Sequence, residues 1–289
     1  MKRLLTPLLL LALAAGPCPA RAEIKVTNLS VNTEADEDDP HLSSGGLTLF
    51  YTATTQKKSD IMVSRRRDKR QAWPAGKPID DYVSTEADDR SAFATTDGRY
   101  PQFLYFATKK DKTQKNFDIY VAVRQGAGSV FSAPTPVPTV STEEDELHPW
   151  LSADGKSLYF SRKTKDGWRM LVARRKEATG GAGFGDPALL KELPAGFHHA
   201  TLTPDGKTMY LQGPLEKGRW GLFRSGYGSD GWQKPEALEE LNNADGPTGD
   251  RSPGLSRDGS LLYFASDRPG GKGGLDLYVV PTADLMKKK

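Results

Sequence analysis

The stretch His148-Pro149-Trp150-Leu151-Ser152-Ala153-Asp154-Gly155-Lys156-Ser157-Leu158-Tyr159-Phe160 decides how the chain is organised. An alternating apolar run enters an Asp-Gly turn and leaves as a second alternating run. That is the pattern of a β-hairpin, and Asp-Gly accepts the positive φ angles of a tight turn. Four further copies occur: 40–50, turning at Gly45; Ala94-Thr95-Thr96-Asp97-Gly98 leading to Leu104-Tyr105-Phe106; 202–210, turning at Asp205; and 253–264, turning at Asp258. The turns recur at roughly fifty residues, a period that suits four short strands, the unit of a propeller blade.

The rest of each unit reads consistently. A third strand begins at Asp60, Asp118, Trp168, Gly221 and Asp276, and the fourth follows an aromatic and a proline: Trp73-Pro74, Phe131 with Pro134, Phe184 with Pro187, Trp232 with Pro235. Proline suits an outer edge strand, where a missing N–H is tolerated. The fifth unit lacks a fourth strand, while Ile24-Lys25-Val26-Thr27-Asn28-Leu29-Ser30 stands before the first unit without a partner. The expected fold is all-β. It is a single five-bladed β-propeller of four-stranded antiparallel blades, closed by the N-terminal strand pairing into the last blade, which removes exposed sheet edges.

Residues 1–22 read as a cleaved signal peptide: Lys2 and Arg3, an apolar run at 4–15, and Ala20-Arg21-Ala22 as the cleavage site. Pro17 before Cys18 departs from a bacterial lipobox. The propeller domain is then 23–289, periplasmic or secreted. Losing Lys2, Arg3 and Arg21 lowers the basic count from 40 to 37, equal to the acids. A neutral, exported chain argues against nucleic acid as a partner. No later stretch is apolar enough to span a membrane, and a monomer is expected.

The units resemble the Pro-Asp variant of the WD-like repeat of TolB-type β-propellers. The resemblance rests on Leu202-Thr203-Pro204-Asp205-Gly206-Lys207-Thr208-Met209-Tyr210 and on Tyr263-Phe264-Ala265-Ser266-Asp267-Arg268-Pro269-Gly270-Gly271 followed by Gly274-Leu275-Asp276-Leu277-Tyr278. It implies the fold over nearly the whole mature chain and says little about activity. The first unit departs from the repeat by turning at Ser44-Gly45-Gly46, the second by inserting Tyr100-Pro101-Gln102.

Propeller geometry puts the approach to each first strand around the mouth of the central channel. Eight residues before the turn positions stand Glu37, Asp89, Glu146, Phe197 and Asp250; next come Asp38, Arg90, Leu147, His198 and Arg251, then Asp39, Ser91, His148, His199 and Ser252. Glu37, Asp39, Asp89, Arg90, Glu146, His148, His199, Asp250 and Arg251 are therefore the candidate binding residues. The structural alternative is that the acids hold backbone N–H groups or pair with arginines. Asp39, His148 and His199 share one column and form a candidate metal set for zinc, with calcium on the acidic loops as the other choice; no other cofactor is expected. Trp150 serves either as core or as a sugar-stacking platform. There is no mature cysteine and no Gly-x-Ser-x-Gly elbow. The expected function is a non-enzymatic module binding an envelope protein or peptide. The alternative is a glycoside hydrolase or sugar-binding propeller using the channel-mouth carboxylates.

Overall fold

The computed structural model describes residues 24–285 except 57, 80–81, 96–98, 111–112, 176, 178–182 and 243–244. The leader with Cys18, and the Asp97-Gly98 turn, lie outside the described residues. Among those described, the strands form five antiparallel sheets around one channel. From channel to rim, the first blade is Asp36–Leu42, Thr48–Thr54, Ser59–Arg65 and Lys77–Pro78. Blades two, three and four begin at Asp89–Ala94, Glu146–Leu151 and His198–Leu202. Blade five is Asp250–Leu255, Leu261–Ser266 and Asp276–Pro281, completed by Thr27–Asn28, which pairs with Tyr278 and Val279. The expected architecture and closure are what the structure has.

Each pair of neighbouring blades buries one apolar cluster between its sheets. Phe50, Ile61 and Val63 of blade one meet Leu104 and Phe106 of blade two. The seam between blades five and one holds Leu277, Tyr263, Leu49 and Tyr51. The aromatics that precede the outer strands, Trp73, Phe131, Phe184 and Trp232, are buried in these seams. Three of them are roofed by an arginine from the end of a third strand or just beyond it: Arg66 over Trp73, Arg124 over Phe131 and Arg175 over Phe184, at 4.0, 5.0 and 4.4 Å. Gly254 lets the inner strand of blade five lie against blade one, since a Cβ there would run into the Pro40 carbonyl.

The closing seam has its own device. Asn32 is buried and acts as a surrogate strand: its amide donates to the Leu277 carbonyl at 2.9 Å, and its side-chain oxygen accepts from the Leu277 N–H at 2.9 Å.

The hairpin turns are wider than the two-residue turn that Asp-Gly suggests. Ser152 N–H donates to Ser157 O, and Gly155 N–H to Ser152 O, so four residues span the turn. Only the glycine is at positive φ, with Gly155 at 71°. The aspartate contributes as an acceptor instead. Asp154 takes hydrogen bonds from Ser152 Oγ and Lys156 N–H, Asp205 from Thr203 Oγ1 and Lys207 N–H, and Asp258 from Ser256 Oγ and Ser260 N–H. No helix among the described residues is long and apolar enough to cross a membrane.

Candidate functional site

Every inner strand breaks its pairing with its neighbour at the same place: after Asp38, Arg90, Leu147, His198 and Arg251. The next residue has a positive φ in all five blades: Asp39 at 51°, Ser91 at 57°, His148 at 56°, His199 at 50° and Ser252 at 56°. The left-handed region costs a non-glycine residue about 1–2 kcal/mol. A bulge of this kind re-aims a side chain away from the regular pleat. Here the five side chains meet in the channel.

Asp39 is their centre. Oδ2 accepts from Ser91 Oγ at 2.8 Å, Thr52 Oγ1 at 3.1 Å and Arg90 Nε at 3.2 Å; Oδ1 accepts from Ser252 Oγ at 3.1 Å. His148 and His199 stack on each other, centroids 3.8 Å apart, with one nitrogen each toward Asp39 Oδ1. Burial works against the Asp39 charge, but Arg90 and the surrounding donors outweigh it and hold the carboxyl well below its usual range. Burial also pushes the imidazoles down, His199 to about 4, so they are neutral near pH 7.

The preceding layer closes this end of the channel. Asp38 accepts from Arg90 Nη2 and from Arg251 Nη2, each at 2.8 Å, so one carboxylate joins blades two and five across blade one. His198 stacks on Trp168, with centroids 4.9 Å apart, and meets the edge of Trp220. Both tryptophans are half-buried beside the channel.

Glu37, Asp89, Glu146 and Asp250 do not line the mouth, which corrects their candidacy as binding residues. All four are buried and tied down locally. Glu37, Asp89 and Glu146 each accept from the backbone N–H and the hydroxyl of a threonine four residues earlier: Thr33, Thr85 and Thr142. Glu146 also takes Arg162 Nε, and Asp250 takes Arg268 Nη2, both at 2.7 Å. Burial raises the pKa of Glu37, Asp89 and Glu146. The Thr-x-x-x-acid spacing was visible in the sequence and signals a loop clasp.

The opposite end of the channel is open. A cavity of about 260 Å³ lies among the hairpin turns, walled by His41, Phe93, Phe103 and Trp150 and edged by Arg99, Arg175 and Arg257. The rings form an arc: His41 to Phe93 at 4.4 Å and Phe93 to Trp150 at 6.1 Å. Trp150 is half-buried, one side packed on the core of blades three and four, so it is both core and cavity wall. Among the described residues that line the cavity, Asp154 is the one acid, and its carboxylate is already bonded within its own turn. Of these walls the sequence singled out only Trp150, as core or a sugar-stacking platform; the others are ordinary inward positions of the repeat and carry no signal.

No protein-family model and no curated protein matches the chain. Solved structures do match. The α-L-arabinofuranosidase of Podospora anserina, in complex with cellotriose, aligns over 92% of this chain and 93% of its own with a TM-score of 0.62 and 11% identity. The endo-arabinase of Bacteroides thetaiotaomicron aligns over 88% and 96%, at 0.60 and 14%. A putative TolB of Agrobacterium tumefaciens aligns over 90% and 84%, at 0.51 and 14%. At such identities the likeness shows the five-bladed fold. The expectation of a non-enzymatic module binding an envelope protein is corrected: the stronger likenesses are to glycoside hydrolases, and the likeness to the putative TolB is weaker.

Proposed function

We propose that this is an exported carbohydrate-binding propeller that holds a short oligosaccharide in the cavity at the open end of its channel. The observation that carries the reading is the aromatic arc of Phe93 and Trp150 in a concave site edged by hydroxyls and guanidinium groups. Aromatic faces bind the apolar face of a sugar ring, while a few convergent polar groups fix its orientation. Structural neighbours whose names include cellotriose and xylotriose complexes support the ligand class.

Hydrolysis through paired carboxylates needs two carboxyl groups about 5–9.5 Å apart across the bond. The described cavity residues offer only Asp154, and at the other end Asp38 is held by two arginines. Binding is therefore the reading adopted. Titration calorimetry with cello-, xylo- and arabino-oligosaccharides tests it. Trp150→Leu keeps the apolar contact with the core and removes the ring face, so affinity should fall about tenfold with the melting curve preserved. Absence of binding by every sugar, or equal affinity of the variant, ends the proposal. Release of reducing sugar would move the assignment to hydrolysis.

A further inference from the structure

We propose that the channel binds a divalent transition-metal ion, zinc by preference, on Asp39, His148 and His199. One donor atom from each residue lies within 4.8 Å of the other two. His148 Nε2 is 3.7 Å and His199 Nδ1 is 3.5 Å from Asp39 Oδ1. Those separations are too long for hydrogen bonds. They are close to the edge of a zinc tetrahedron, about 3.4 Å for bonds of about 2.0–2.1 Å.

The hydrogen bonds around the set are compatible with lone pairs facing one another. Ser161 Oγ donates toward Met170 Sδ at 3.7 Å and accepts from the His199 N–H at 2.9 Å. It also lies 3.1 Å from His148 Nδ1, and the tautomer in which Nδ1–H donates to it has its free lone pair on Nε2, toward Asp39. A metal-binding histidine typically donates its other N–H in this way. His199 Nδ1 is buried without a hydrogen-bond partner. A carboxylate oxygen and two imidazole nitrogens thus face each other, and a cation completes the set.

Room and access are present. A void of about 30 Å³ touches all three residues and shares His41, Phe93 and Trp150 with the larger cavity, so the ion arrives from the open end. The two rings lie face to face, 17° from parallel, and must tilt edge-on to present both lone pairs. The donor set favours zinc over calcium, which takes about six to eight oxygens. The site stands independently of the carbohydrate reading.

The test uses tag-free protein stripped with a chelator and titrated with Zn²⁺, with metal content, calorimetry and thermal unfolding as readouts. One bound equivalent and a raised melting temperature are expected. His199→Ala removes a nitrogen that makes no hydrogen bond, so it should fold and lose the equivalent, while Glu236→Ala, on an exposed outer strand, should keep it. Stripped protein that takes up no zinc overturns the proposal, as does His199→Ala binding like the wild type. Co²⁺-loaded wild type gives a variant-free reading: ligand-field bands of a nitrogen-ligated tetrahedral ion are expected, and a spectrum of aqueous Co²⁺ alone overturns the site.

Discussion

Asp39 compensates Arg90 from inside the channel, and its loss has two consequences. Asp39→Ala leaves the buried part of the Arg90 charge to Asp38 alone and strips an acceptor from Ser91, Thr52 and Ser252. Breaking a buried pair by removing one partner costs about 3–5 kcal/mol. A urea unfolding curve should show a loss of that order; a loss under about 1 kcal/mol would mean that Asp38 holds both arginines unaided. The histidines make a pH prediction. His198 is pushed to about 3 and His199 to about 4, with His148 also well below its usual value, mainly by burial. The unfolded chain, titrating near 6.5, then takes up protons that the folded chain refuses. Their contribution to stability is whole above about pH 6.5 and declines as pH falls toward 4. Glu37, Asp89 and Glu146, with raised values, work in the other sense: their contribution is fullest at low pH and is lost as pH rises through the folded values. Comparing wild type with His198→Gln in chelator-buffered solution at pH 7 and pH 5 separates the two. Wild type should lose more stability on acidification; equal losses would show an ordinary His198.

At the level of elements, the ring closes on a strand of two residues, Thr27–Asn28, which is too short to hold by itself. Asn32 supplies two more buried hydrogen bonds to Leu277, and Lys272 reaches the Asn32 carbonyl at 2.9 Å. Asn32→Ala would leave the Leu277 N–H unpaired in a buried seam, at roughly 1–3 kcal/mol, while the Leu277 carbonyl keeps its bond from Leu29 N–H at 2.9 Å. Chemical denaturation checks this, and an unchanged midpoint would mean that water replaces the amide oxygen. The repeat turns show how far an element is legible in sequence. Ser/Thr-x-Asp-Gly announced a hairpin correctly, yet the turn type did not follow from Asp-Gly. The decisive partners are the Ser152 and Thr203 hydroxyls, which also accept from Ser157 and Thr208 N–H. Likewise the bulge at Asp39, Ser91, His148, His199 and Ser252 has no residue-type signature, because three different side chains occupy one left-handed position.

For the whole molecule, the fold was legible because repetition carries register: one hairpin, aligned five times, fixes blade number, and the unpartnered segment at 24–30 fixes closure. The same register placed Asp39, His148 and His199 in one column. It failed for Glu37, Asp89, Glu146 and Asp250, since a column of acids looks alike whether it faces a ligand or clasps a threonine in its own loop. In the structure Lys58, Lys109, Arg162 and Arg268 pair with neighbouring acids. Closure by Thr27–Asn28 also sets an order in time. Synthesis runs from the N-terminus, so this segment emerges first and waits through four blades for Asp276–Pro281 to appear. Until then the growing sheet array has two unmatched edges, each a template for another chain. The last hairpin to be made is therefore the one that converts an adhesive intermediate into a sealed ring.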